Sequence, residues 1–327
     1  MNTKAVGKID YILAFVVLAL VLFGVIMIAS IGVPKSIELT TPSGVAFPTC
    51  SMPEVDCYLL LKKHIVRALI GLVCFVLFIR IPYLFWRKVA ILGFIVCIGA
   101  LISVLIVGNS FSTFANAWLV VYNSSLQPVE FVKLGLIFYL AYWLESRGKD
   151  VEHFQKGFLS FCTITGLIVL LLIFQPDLGS IMLVTIISVG MYFLAGAKYK
   201  HILGGFLATV LLMSLLIPNM DYLKYRFLSY INPTEQNCIV GNTGETRDYC
   251  WQSEQANIAI ASGGFLGKGL TKGVQKSYWL PQAADDFIFA ASAEELGFWR
   301  ISFVIFAFLL IAYRGFLIAR YAPDRFS

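Results

Sequence analysis

The chain has 327 residues, of which 59% are hydrophobic and 13% charged, and it carries a formal net charge of +6. Soluble domains have about 45–50% apolar and about 25% charged residues, so this composition, with a mean hydropathy of +0.81, excludes an ordinary soluble protein and indicates a polytopic membrane protein. The positive charge does not call for a nucleic acid: there is no basic-aromatic RNA-binding pattern, and the charge mostly reflects Lys and Arg gathered on one side of the apolar runs.

The first run, YILAFVVLALVLFGVIMIAS, has no polar face, as expected of a helix surrounded by lipid. It is too long for a signal-peptide core and is read as a retained anchor. Eight spans are predicted, at about 11–31, 65–82, 89–107, 130–144, 158–174, 179–196, 202–217 and 298–319. With both termini cytoplasmic, Lys4, Lys8, Arg80, Arg87, Lys88, Arg147, Lys149, Lys156, Lys198, Lys200, Arg314, Arg320 and Arg325 fall inside. Lys62 and Lys63, at the second span, are the exception. Residues 218–297 then form a large extracytoplasmic region between the seventh and eighth spans, so the fold class is all-α and polytopic.

Cysteine placement follows the same topology. Cys74, Cys97 and Cys162 lie within spans and read as small apolar residues. Cys50 and Cys57 share the first outer loop, and Cys238 and Cys250 share the long outer region, so bridges 50–57 and 238–250 are expected on the oxidising side. The three histidines are scattered away from these pairs, which disfavours a cysteine–histidine metal site.

In QPVEFVKLGLIFYLA, Glu130 and Lys133 fall on one helical face, either as a local staple or with Lys133 turned to a cavity that holds an anion. In QPDLGS, Pro176 breaks two apolar runs and Asp177 stands where a helix begins, so it either caps that helix or serves a site. MDYLKYRFLSYINPTEQ, with Lys224 and Arg226 among tyrosines, suits an amphipathic helix at the bilayer surface. SGGFLGKGL fails the nucleotide-loop pattern, because Ser262 stands where its first Gly is required and Gly269 follows Lys268. It reads instead as a Gly-rich turn with Lys268, Lys272 and Lys276 either near an anion or simply solvated.

LPQAADDFIFAASAEELG concentrates Asp285, Asp286, Glu294 and Glu295 just before the last span. If the segment is helical from residue 285, Asp286 and Glu294 stand about 12 Å apart, beyond the roughly 5–9.5 Å of a hydrolase acid/base pair. Two readings stay open: helix capping by one or both aspartates, or a single carboxylate base whose pKa is raised by its neighbour and by burial.

These blocks, together with YRFLSYINP and IASGGFLGKGL, resemble in order and spacing the SEDS family, the RodA/FtsW/SpoVE-type peptidoglycan glycosyltransferases, over most of the chain from residue 60 onward. The resemblance implies polymerisation of lipid II at the outer face of the cytoplasmic membrane by inverting glycosyl transfer, with undecaprenyl pyrophosphate leaving and a class B penicillin-binding protein transpeptidase as partner. It implies Asp286 as the base that takes a proton from the attacking 4-hydroxyl. Lys133, Arg226, Lys276 and Lys268 become candidates for phosphate contacts, with Glu130, Asp177, Gln252 and Glu294 in supporting roles. A divalent cation, Mg or Mn, between carboxylate and pyrophosphate suits that chemistry. A lipid-linked sugar flippase and an inactive scaffold are the alternatives. Gln282, Asp285 and Ala117 depart from the usual Glu, Thr and Arg of the family. Its last two of ten spans, with their Gly-rich block, are not present before the chain stops at APDRFS, so a C-terminally truncated protein is expected.

Overall fold

The computed structural model describes residues 9–45, 48–108, 117–121, 124–175, 177–216, 231, 239–242, 245–248, 250–324 and 326–327. They belong to two compact units: Met1–Phe78 with Leu215–Tyr321, and Ile79–Ser214 with Ala322–Ser327. Every predicted apolar run is helical where described. Among the described residues four helices, Tyr11–Ile31, Tyr83–Val107, Phe154–Ile173 and Ile288–Arg320, are long and apolar enough to cross a membrane.

In the first unit, α1 (Tyr11–Ile31) starts at Asp10, whose side chain accepts from the Leu13 N–H at 3.0 Å and so satisfies an otherwise orphaned donor. Gly32 joins it to α2 (Val33–Thr40), which is hooked onto the start of α3 (Leu59–Arg80). Ser36 Oγ accepts from the Leu60 N–H at 3.1 Å, and Thr40 Oγ1 accepts from the Asp56 N–H at 3.0 Å. The loop between α2 and α3 is closed by the Cys50–Cys57 disulfide, as expected. No residue of α3 is buried, which suits a helix whose apolar surface meets lipid.

The second unit packs α4 (Tyr83–Val107), α5 (Pro128–Arg147), α6 (Ser160–Ile173, preceded by a π turn over Phe154–Leu159), α7 (Leu178–Leu194) and α8 (Tyr199–Leu216). Leu101, Leu136, Leu140, Ile168, Leu172 and Val184 are its innermost side chains. Stacked ring pairs Phe94–Tyr139 and Phe161–Tyr192, with centroids 4.0 and 4.3 Å apart, lock α4 to α5 and α6 to α7. Gly135 allows the closest approach of α5 to α4, because a Cβ there would collide with Cys97 Sγ.

Two short antiparallel hairpins, β1 (Leu119–Val121) with β2 (Ser124–Leu126) and β3 (Ile239–Asn242) with β4 (Glu245–Asp248), interrupt the all-α pattern. The second occupies the cysteine-bearing insert; Cys250, just after it, is disulfide-bonded, while Cys238 lies outside the described residues. So does the amphipathic helix predicted around Arg226, except for residue 231. The first unit is completed by α9 (Trp251–Gly263) and α10 (Ile288–Arg320). At Gly297, φ 76° breaks the regular geometry of α10 and separates a buried first part from the predicted span.

Two polar clamps tie α1 to α10. At one end Arg314 donates to Asp10 Oδ2 at 2.6–2.8 Å, and at the other Ser30 donates to Glu295 at 2.7–2.8 Å. At 1.5 Å per residue, each helix runs about 30 Å between its two clamps, the thickness of a bilayer's hydrocarbon. The Leu13 N–H and Arg314 together hold the Asp10 carboxyl below its ordinary value.

Candidate active site

The acidic motif folds differently from a helix that starts at its aspartates. Residues 281–287 form successive turns, and α10 begins only at Ile288, with Phe287 as its N-cap and no side-chain capping bond. Gln282, at φ 53°, reverses the chain, and its carbonyl accepts from the N–H groups of Asp285 (3.0 Å) and Phe287 (3.3 Å). Capping by the aspartates is therefore not realised, and the helical spacing argument does not apply to them. Ala283 and Ala284 turn inward, at 7% and 9% exposure, and pack with Met27, Ile28 and Ile31 of α1 and with Leu60 and Leu61 of α3. Asp285 and Asp286 are left exposed on the other side of the turn.

The Asp285 carboxyl is pushed above its ordinary value, first by partial loss of hydration against the protein and then by the charge of Asp286; Lys35 and Arg67 pull it the other way. Among the described residues no cluster of three or more His, Cys, Asp or Glu could hold a metal ion. The aspartate pair offers only two carboxylates, enough for a Mg ion only when substrate phosphate oxygens complete its shell.

Glu294 and Glu295, fully buried, meet a different fate. Glu294 accepts from Lys268 Nζ at 2.6 Å and from the N–H groups of Val274 and Gln275 at 3.0 Å each. Glu295 accepts from Lys276 Nζ at 2.6 Å and from Ser30, while Lys276 also donates to the Ser30 carbonyl at 3.2 Å. Backbone bonds from Lys268 to the Glu294 carbonyl (3.0 Å) and from Gly269 to that of Glu295 (2.9 Å) complete the seam. Gly267, at φ 80°, and Gly297 face each other there, and a Cβ on either would strike the opposite backbone. The Gly-rich segment is thus docked on α10, and the amines of Lys268 and Lys276 are taken up by its two glutamates. The amines of Lys268 and Lys276 are therefore not free for phosphate, whereas Lys272 is exposed and, among the described residues, held by no hydrogen bond or ion pair.

In the second unit, Lys133, at 17% side-chain exposure, pairs with Glu130 at 2.8 Å. Asp177 caps α7: it accepts from the Ser180 N–H (3.1 Å), the Ser180 hydroxyl (2.7 Å) and Gln127 Nε2 (3.2 Å). Gln252 is exposed in the first turn of α9, and Arg226 lies outside the described residues. Lys35, Arg67 and Ser30 were not singled out from sequence. For Arg67 a signal existed: it is an arginine in an apolar run, near the two lysines that break the positive-inside pattern.

The fold is shared with solved structures. Over 98% of the chain and 80% of the other, it superposes with a TM-score of 0.71 and 23% identity on a chain from a structure entitled "Structural coordination of polymerization and crosslinking by a peptidoglycan synthase complex". Rod shape determining protein RodA of Thermus thermophilus matches over 98% of this chain and 78% of its own, with TM-score 0.61 and 23% identity. The molecule is therefore a multi-pass membrane protein of the RodA fold. The family model covering FtsW, RodA and SpoVE, described as "Cell cycle protein", matches residues 10–327, and the chain belongs to that family. It is 31% identical to the "Probable peptidoglycan glycosyltransferase FtsW" of Geobacter metallireducens, over all of this chain and 81% of that one. It is also 31% identical to "Stage V sporulation protein E" of Bacillus subtilis, over 83% and 72%.

Proposed function

We propose that this protein polymerises glycan strands from lipid II at the outer face of the cytoplasmic membrane, with Asp286 as the base. Family membership and the names of its relatives support the reaction class. The observation that carries the site is the exposed Asp285–Asp286 pair, set on a rigid turn while the neighbouring glutamates are buried and neutralised. An exposed carboxylate with no hydrogen bond of its own among the described residues is open to receive a proton from a substrate hydroxyl. The attacking 4-hydroxyl loses its proton to Asp286 as its oxygen bonds to the anomeric carbon, and the bond to the diphosphate breaks with inversion. A divalent cation bound there would add charge neutralisation for the leaving diphosphate.

The Cys50–Cys57 bridge supports the outer placement. It lies in the loop between α2 and α3, whose Leu60 and Leu61 join the end of α1 in packing against the acidic turn, and disulfides persist on the oxidising side. Lys133, beside Glu130, is a proposed anion contact in its own unit. A class B penicillin-binding protein is the proposed partner; likeness to a chain from a peptidoglycan synthase complex supports it.

The test is Asp286→Asn in the full chain, reconstituted with labelled lipid II. Strand synthesis is expected to fall by about 10²–10⁴-fold while lipid II still binds. Full polymerisation by the variant would refute the assignment, and lipid II transport without polymerisation by the unaltered chain would indicate a flippase instead.

A further inference from the structure

The outer end of α3 carries an excess of cation. Lys62, Lys63 and Arg67 lie within its first turns, on the side of a membrane that positive residues usually avoid. Lys62 is held by Asp56 at 2.7 Å. Arg67 is exposed, and among the described residues no hydrogen bond or ion pair holds it. An arginine within an apolar helix costs enough free energy that it commonly marks a site.

The fold turns this end of α3 toward the acid pair. Leu60 and Leu61 share an apolar cluster with Ala283, Ala284 and Phe287, the residues on either side of the two aspartates. Arg67 lies seven residues beyond Leu60, so it returns to the same helical face about 10 Å further along. The bond from the Leu60 N–H to Ser36 fixes α2 at the same place and brings Lys35 with it. Among the described residues Lys35 pairs only with Glu38, 2.8 Å away and about half exposed, a pair that is weak and readily exchanged. Both cations act on the Asp285 carboxyl.

We propose that Lys35 and Arg67 are the cationic contacts for the diphosphate of the lipid-linked sugar, set opposite the Asp285–Asp286 pair. The assignment rests on the polymerase reading above and supplies what it lacked in this unit, since the amines of Lys268 and Lys276 are occupied by Glu294 and Glu295. When the bond between the anomeric carbon and the diphosphate breaks, its electron pair passes to the phosphate oxygen. The sugar hydroxyl's proton goes to Asp286, and the new negative charge develops beside these two cations. A planar guanidinium can engage two phosphate oxygens at once, which Lys35 cannot.

The experiment measures lipid II polymerisation by the full chain in nanodiscs, together with its inhibition by added undecaprenyl pyrophosphate. Arg67→Gln is expected to weaken inhibition and raise KM about tenfold or more, and Lys35→Gln to do so several-fold. Arg67→Lys should recover part of the loss. Lys62→Gln, on the same helix but about 200° around it from Leu60, should change neither. The shifts should be the same in zwitterionic and in anionic nanodiscs; shifts found only with anionic lipid would assign the two cations to phospholipid headgroups and overturn the proposal. So would restoration of normal inhibition by adding Asp285→Thr to Arg67→Gln, because Arg67 would then serve only to offset Asp285. Unchanged inhibition and KM in both single variants, while Asp286→Asn still abolishes synthesis, would overturn this proposal and leave the polymerase reading standing. Should Arg67→Gln fail to fold, the exposed Lys35 variant carries the test alone.

Discussion

Asp285–Asp286 and Glu294–Glu295 stand in one short stretch, Leu280–Gly297, yet one pair is exposed and the other has no exposed surface. The glutamates are surrounded by two lysines, a serine and backbone N–H groups, so their charges are compensated where they lie. The aspartates sit on a turn whose alanines take the inward positions, and no hydrogen bond ties up their carboxylates among the described residues. The contrast teaches that acidity in an apolar chain serves two ends: a saturated pair that holds a loop, and an unsaturated pair left available for chemistry.

The comparison can be broken from either side. The largest effect expected is the loss of about 10²–10⁴-fold in strand synthesis on Asp286→Asn, with little change in thermal midpoint. Next is the buried pair: Glu295→Ala leaves Lys276 buried and uncompensated, at a cost of about 3–5 kcal/mol read by denaturation in detergent. Replacing both partners with apolar residues of similar volume, Lys276→Met with Glu295→Leu, should cost much less, provided Ser30 is relieved as well. At the seam, Gly267→Ala should destabilise by at least about 1 kcal/mol, because the added Cβ meets the Glu295 carbonyl in a left-handed backbone.

A smaller effect concerns pH. Since the Asp285 pKa is raised on folding from 3.8, the folded state binds the proton more tightly than the unfolded one. Stability should therefore decline as pH rises from about 3.8 through the raised value, and Asp285→Asn should remove that decline. Thermal midpoints of the two proteins across pH 3–7 would show it. A parallel decline in both would assign the dependence to other groups. Smallest is Asp10→Ala at the opposite clamp, which loses a cap and a partly exposed ion pair and should lower the thermal midpoint slightly.

Much of this was legible in the chain itself. Span positions follow from runs of apolar residues with no polar face, a local property, and the Cys50–Cys57 bridge follows from two cysteines a short loop apart. The aspartate pair was conspicuous because charge is scarce. What could not be read was pairing at long range. Ser30 reaches Glu295 across 265 positions, and nothing in GGFLGKGL says that a buried glutamate will take its lysine. The pattern of DDFIF is compatible with a helix from residue 285, but Gln282 reverses the chain and delays α10 to Ile288. Arg67 carried a signal as a lone cation in an apolar run, but nothing local to it says that this end of α3 turns toward the aspartates.

The most direct measurement is a crossed one: lipid II polymerisation and thermal midpoint, determined side by side for Asp286→Asn and Glu295→Gln in the full chain. The account predicts that the aspartate variant keeps its midpoint and loses synthesis, and that the glutamate variant loses midpoint first and retains turnover at temperatures where it is still folded. An aspartate variant that melts early, or one that polymerises normally, would contradict the division of labour between the two acid pairs.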